Sequence, residues 1–442
     1  MQNTLWQSGP NPAYDWVKDA QLDQWLNLNF GKEVFTPGLE RIRFLANTLK
    51  WEHAPKAIIT IAGTNGKGQT SHDLAYLLSE NNASWSLWTS PHVLSVTERF
   101  KACGQYIERE LLLELFTEMQ QLGHQYNVKL SYYEFLFLCF LKWSSTLEID
   151  YLILEVGLGG RLDAVNIFNA DIVLLPSISR DHTAILGNTL KKILYEKLGV
   201  TRPGHKLFHT LEQVYLRCEV DLYCKKHGVE IIDLWPIVKE QFLEQSYVKR
   251  NRLLAKQAAT SLLRNIKIPN KWPTTGGRQD YWRYSQGSFL FTGSHNLDGH
   301  RKFISHTIES TNIEGKGPHG TIFDRVFISF SDRPINEVEA IIDLYLLTPG
   351  FCHELLVSPF NHPKAMDVKK HYLLWSQRWG SRLRCLEQWN VAIEECLVEN
   401  LNFMANKKLL ITGSYYFVGE IQKHLLSHYP NFFNIDYTSP VS

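Results

Sequence analysis

Lys56-Ala57-Ile58-Ile59-Thr60-Ile61-Ala62-Gly63-Thr64-Asn65-Gly66-Lys67-Gly68-Gln69-Thr70 places a strand pattern, a glycine-rich turn and a helix start in direct succession. Residues 56–62 form an apolar, β-branched run of strand length, and 69–80 carry a helical pattern. Glycines let backbone amides wrap an anion. A lysine adds a point charge, and the following helix points its positive end at the same spot. The stretch 63–68 is therefore read as a phosphate-binding loop. It is not a strict Walker A sequence: Ile61 stands where the first glycine belongs, and Gly68-Gln69 replaces the Ser/Thr that would hold magnesium.

Working outward, strand and helix patterns alternate in two blocks, the signature of parallel α/β sheets. In the first, strands are expected at 85–88, 151–156, 171–178, 206–209 and 229–232, with helices at 108–122, 132–143, 190–198 and 211–226. The second block alternates strands at 288–291, 325–330, 354–358 and 408–412 with helices at 298–307, 335–346, 363–375, 391–401 and 418–426, and residues 310–320 are read as a solvated loop. The stretch 271–286 (KWPTTGGRQDYWRYSQ) is rich in turn residues and breaks the pattern. That gives a first domain at 1–275, a linker at 276–285 and a second domain at 286–442. The expected fold class is α/β: an N-terminal P-loop-type ATPase domain on a mainly parallel sheet, and a smaller C-terminal Rossmann-like domain.

Ligands of open parallel sheets bind beyond the carboxyl ends of the strands. Four strand ends of the first block carry reactive polar residues. After the phosphate loop come Thr89-Ser90-Pro91-His92, which alone could be a bland turn, and Glu155, which closes the apolar run 151–154. A carboxylate there is costly to bury without a cation, and magnesium suits hard oxygen ligands and phosphates; a salt bridge to Arg161 is the alternative. Asp181-His182 ends the next strand pattern. Such a pair alone is usually a cap or a core pair, and Lys197 alone is a solvated helix lysine.

With 442 residues the chain is long enough for two or three domains of roughly 100–200 residues each. Its 44% hydrophobic and 21% charged residues are those of a globular protein, not a disordered one. A net charge of +1 gives no global field toward nucleic acid or an anionic membrane. The seven cysteines include no CxxC pair, which argues against a disulfide framework or a zinc site. No basic start followed by an apolar stretch marks a signal peptide, and the apolar run 135–141 is too short to span a bilayer. The expectation is a cytoplasmic protein without nucleic-acid or membrane partners.

These motifs together resemble the dihydrofolate synthase/folylpolyglutamate synthase family of the Mur-ligase-like group. The likeness runs from Thr36-Pro37-Gly38-Leu39-Glu40-Arg41-Ile42, through the phosphate loop, Thr89-Ser90-Pro91-His92, Tyr133-Glu134-Phe135 and 155–166. It continues through Asp181-His182-Thr183, Glu196-Lys197 and Gly293-Ser294-His295-Asn296 to Gly413-Ser414-Tyr415-Tyr416. The resemblance implies an ATP- and magnesium-dependent ligase that adds L-glutamate to dihydropteroate and to the γ-carboxylate of reduced folates through an acyl phosphate. It assigns Gly63, Thr64, Asn65, Gly66, Lys67, Gly68, Gln69 and Thr70 to the phosphates, with Arg278, His295 and Asn296 on the nucleotide side. Ser90 and Glu155 would hold one magnesium ion, and His182, with Glu155 or a carbamylated Lys197, a second. Lys67, Glu155, His182 and Lys197 form the implied catalytic set, Gly38, Leu39, Arg41 and Asp163 the pterin side, and the implied state is a monomer. Departures stand at Gln69, Arg180 and Thr292, which motivate the alternative of a silent nucleotide or folate binder. A polyglutamylating enzyme without the first activity and a cell-wall Mur ligase are the other readings.

Overall fold

The computed structural model describes residues 15–31, 36–244, 246–273, 280–284, 287–314, 320–401, 407–430 and 432–436. They fall into two compact units, the first running to Asn270 and the second starting at Lys271.

The first unit is built on eight strands: β1 (Ala57–Ile61), β2 (Trp85–Trp88), β3 (Phe100–Ala102), β4 (Gln105–Tyr106), β5 (Tyr151–Glu155), β6 (Ile172–Leu175), β7 (Lys206–His209) and β8 (Glu230–Asp233). Their order is β4-β3-β2-β5-β1-β6-β7-β8. All pair in parallel except the antiparallel edge made by β3 and β4. From β1 the chain moves outward to β2, returns to β5 beside β1, and crosses to β6 on the other flank. Strand order thus reverses around β1, and the crevice beyond its carboxyl end is where such sheets take ligands.

β5 is buried along its whole length because helices cover both faces. Leu152 and Leu154 enter a core with Trp88, Phe137 and Phe140, supplied in part by the apolar helix Tyr132–Ser145. Tyr151, on the opposite face by strand alternation, reaches helix Tyr247–Leu262 through an Oη bond to the Leu262 carbonyl at 3.4 Å. Burying each such large apolar side chain contributes about 1.5–3 kcal/mol.

The second unit contains β9 (Asp280–Tyr284), β10 (Gly287–Phe291), β11 (Phe323–Ile328), β12 (Cys352–Val357), β13 (Leu383–Cys385), β14 (Lys408–Thr412) and β15 (Asn434–Asp436), in the order β13-β12-β11-β14-β10-β9-β15. The first five of that order are parallel, and β9 and β15 add an antiparallel edge.

Several elements differ from the sequence expectation. Residues 280–284, expected in a linker, form β9: Asp280, Trp282 and Tyr284 point into the unit, and Gln422 Nε2 donates to the buried Asp280 carboxylate at 2.8 Å. The aromatic alternation outweighed the surrounding turn residues. Helix Leu297–Glu314 runs through the first part of the expected loop 310–320. Helices Trp16–Phe30, Glu40–Ala46, Trp235–Glu240 and Tyr247–Leu262 were not read from the sequence. The expected strand 171–178 stops at Leu175, which frees residues 176–179 to hold the glycine-rich loop after β1.

Candidate functional site

The loop from Ala62 to Gly66 leaves the end of β1 and is bolted to the segment after β6. Thr64 N–H donates to the Ser177 carbonyl at 2.9 Å, and Asn65 N–H donates to Ser177 Oγ at 2.9 Å. Ser177 Oγ returns a bond to the Asn65 carbonyl at 2.8 Å, and Ser179 N–H donates to Thr64 Oγ1 at 3.1 Å. Asn65 Nδ2 donates to Ser179 Oγ at 3.2 Å. Gly66 precedes helix Lys67–Glu80 with φ +88°, a conformation that favours glycine. Lys67 begins the helix, two residues before the expected start, and its Nζ donates back to the Thr64 carbonyl at 3.1 Å. Thr70 Oγ1 is spent on the Gly66 carbonyl at 2.9 Å.

Parallel register sets Glu155 beside Ile61 at the same sheet edge. Glu155 is 1% exposed and its Oε2 accepts the Ser90 N–H at 3.1 Å. The Ser90 backbone and the Glu155 carboxylate thus meet across the adjoining ends of β2 and β5. The alternative of a salt bridge from Glu155 to Arg161 is not met: Arg161 pairs with Glu196 at 2.9 Å.

Lys197 is not the solvated helix lysine that its local sequence suggests. It is 4% exposed, and its Nζ donates to the Gly63 carbonyl at 2.8 Å. Burial and then the Lys67 charge push it down to about 7, opposed by Asp181 and Asp163. His182 heads the short helix Thr183–Leu186 at φ +48°; its side chain is 53% exposed, with Nε2 3.9 Å from Asp181. Among the described residues no group of three or more His, Cys, Asp and Glu converges as a metal cage. A hydroxyl, a buried carboxylate and a phosphate loop are nevertheless the donor set that suits magnesium, which keeps waters and substrate phosphates in its shell.

Asp163 lies 3% exposed under this rim. It accepts Leu158 N–H at 2.8 Å, Val165 N–H at 3.1 Å and Tyr133 Oη–H at 3.3 Å, while burial raises its carboxyl to about 6. Its observed contacts organise the turn 157–165. Gly38 and Leu39 lead into helix Glu40–Ala46, where Arg41 donates to the Thr36 carbonyl at 3.0 Å and to Glu134 Oε1 at 3.1 Å.

His295 and Asn296 belong to the second unit. Asn296 is fully buried and caps helix Leu297–Glu314, accepting Gly299 N–H at 2.9 Å. His295 Nδ1 lies 2.9 Å from the Gly293 carbonyl, and the Thr292 and Ser294 hydroxyls lie 3.3 Å apart. Arg278 falls outside the described residues.

Sequence reading missed Asn251. Its amide packs against Gly66, and Nδ2 donates to Gln69 Oε1 at 2.8 Å. The signal was available: Ser246 as a cap, followed by a helical spacing of Val248, Leu254, Ala255, Ala258 and Ala259.

No family model matches the chain. A dihydrofolate synthase/folylpolyglutamate synthase of Buchnera aphidicola from Acyrthosiphon pisum is 39% identical over 164 residues, 37% of this chain and 39% of the relative. The chain thus aligns with about two fifths of the length of this relative and of others of the same name. A Bacillus subtilis protein of the same name is 24% identical over 91% of this chain and 97% of its own. Among solved structures, Mycobacterium tuberculosis folylpolyglutamate synthase complexed with ADP and AMPPCP matches with a TM-score of 0.72 and 20% identity, over 92% of this chain and 98% of that one. A bifunctional folylpolyglutamate synthase/dihydrofolate synthase with Mn, AMPPNP and L-glutamate bound matches with a TM-score of 0.69 and 22% identity, over 91% and 98%. No described helix is long and apolar enough to cross a membrane. The chain is thus similar in sequence to dihydrofolate synthase/folylpolyglutamate synthases over part of their length, and it shares the fold of the solved folylpolyglutamate synthase.

Proposed function

We propose that the chain is an ATP- and magnesium-dependent ligase that adds L-glutamate to dihydropteroate and to folate γ-carboxylates through an acyl phosphate. The observation that carries this reading is the single rim formed by Lys67, Ser90, Glu155 and Lys197 around the loop 63–66. The loop amides and Lys67 would hold the triphosphate, and Ser90 and Glu155 would hold a magnesium ion that offsets phosphate charge. Transfer of the γ-phosphoryl group to the substrate carboxylate provides a leaving group. The glutamate amine then attacks the acyl carbon, and the tetrahedral adduct expels phosphate as the amide forms.

Two further features support it. A Lys197 amine that is partly neutral near pH 7 is the form to which carbon dioxide adds, giving an anion suited to a second magnesium together with His182. The M. tuberculosis and bifunctional relatives bind ATP analogues, and the latter binds Mn and glutamate, in the same fold. The family resemblance gives His295, Asn296 and Arg278 to nucleotide binding, and Gly38, Leu39, Arg41 and Asp163 to the pterin. We place this activity in the cytoplasm, acting as a monomer.

Phosphate release, measured with ATP, magnesium and L-glutamate in the presence of dihydropteroate or tetrahydrofolate, tests the proposal. Both acceptors should drive glutamate-dependent release. Release with tetrahydrofolate alone would remove the dihydrofolate synthase half, and release with neither would overturn the ligase.

A further inference from the structure

Helices Lys67–Glu80 and Tyr247–Leu262 lie side by side behind the phosphate loop, and a line of polar side chains runs between them. A Cβ built on Gly66 would fall 2.7 Å from Asn251 Nδ2 and 2.8 Å from its Oδ1. The Asn251 amide is therefore packed directly on the residue that turns the loop into the helix. Its Nδ2 donates to Gln69 Oε1 at 2.8 Å, and Gln69 Nε2 faces the Val248 carbonyl at 3.4 Å. One helical turn further on, the Asp73 carboxylate lies close enough to Arg252 and to the Gln69 side chain for both to favour its charged form. Asp73 is 2% exposed, and burial raises its carboxyl to about 7.

A strict phosphate loop would carry its magnesium-binding hydroxyl at the place of Gly68, and Gln69 follows it directly. Here its amide is turned back toward the neighbouring helix, with its acceptor committed to Asn251. An amide side chain has both a donor and an acceptor, so it can bond both ways along such a line, which a hydroxyl at the same Cβ is too short to do.

We propose that Gln69 is a positioning residue: with Asn251, Asp73 and Arg252 it braces Gly66 from helix Tyr247–Leu262 and so holds the loop amides in the geometry that receives phosphate. The inference rests on the nucleotide-binding part of the function proposed above. Gln69 touches no reacting atom in this account. Its loss leaves the loop amides with more than one arrangement, and the bound state must then select one of them.

The test is calorimetric titration of the full chain with magnesium-ATP, paired with steady-state kinetics and ligand-free thermal melts. Gln69→Ala and Gln69→Ser should each weaken magnesium-ATP binding about five- to tenfold, the loss of one or two hydrogen bonds. The KM for ATP should rise by about the same factor as binding weakens, and by more than turnover at saturating ATP falls. The double variant Gln69→Ala/Asn251→Ala should bind no worse than the weaker of its two single variants, because the two residues act as one brace. Wild-type affinity in both Gln69 variants would overturn the brace, and so would a lowered melting point with unchanged affinity. Tighter binding by Gln69→Ser would also overturn it, by showing that the position only lacks its hydroxyl. Failure of the wild-type chain to bind ATP would instead sink the nucleotide reading on which the brace rests.

Discussion

Replacing Glu155 with Gln separates the two jobs of this side chain. Glu155 is 1% exposed, and its Oε2 accepts the Ser90 N–H at 3.1 Å. Glutamine has nearly the same shape and keeps an amide oxygen that can accept that bond, so the substitution removes charge and little else. Without ligand it should leave the melting temperature unchanged or raise it, since a buried carboxylate is costly. With magnesium-ATP the effect reverses. Unit charges about 4 Å apart at an effective dielectric of about 20 interact by about 4 kcal/mol, and a divalent ion doubles this to a ceiling of about 8 kcal/mol. Waters and phosphate oxygens that stay in the ion's shell offset part of it. A loss of about 3–4 kcal/mol, or two to three orders of magnitude in the magnesium needed for half-maximal phosphate release, is the expected result. The assay is a magnesium titration of glutamate-dependent phosphate release, run beside ligand-free thermal melts. An unchanged magnesium midpoint would refute the reasoning, because a ligating carboxylate cannot lose its charge unnoticed.

Lys67→Ala should lower turnover by about two to three orders of magnitude, through loss of a charge held against phosphate. Near-normal turnover would show that ATP reacts elsewhere. Gly66→Ala should cost about 1–3 kcal/mol of stability, read by urea unfolding, since φ is +88° and Asn251 must shift from the new Cβ. The His209 ring is fully buried, its Nδ1 3.7 Å from Asp233, and burial lowers it to about 4, with Arg217 adding to the effect and Asp233 opposing it. A folded-state value below the unfolded one means that the stability due to the neutral ring is complete above about pH 6.5 and is lost as pH falls toward 4. His209→Gln should flatten that part of the stability–pH curve in urea titrations, and an equally steep acid loss in the variant would contradict it.

The sequence by itself determined much of the architecture. Apolar runs such as 151–154 are continuous because helices cover both faces of a parallel strand, and that burial demand is written directly into residue type. The strand, glycine turn and helix of residues 57–80 were legible too, since the glycines, the lysine and the flanking patterns are all local. Other features are not local, and only the tertiary structure decided them. Lys197 lies in a helix that reads as solvated, yet packing buries it and aims Nζ at Gly63, 134 residues away in sequence. The Arg161 carboxylate partner is Glu196 rather than Glu155, because the turn after β5 folds toward the helix Leu190–Leu198. Asn251 sits in a helix that no neighbouring motif announces, and it meets Gly66 only because two helices share one face of the sheet. Periodicity and turn chemistry act over a few residues, whereas a side chain's partners and its charge are set by whatever the fold brings beside it.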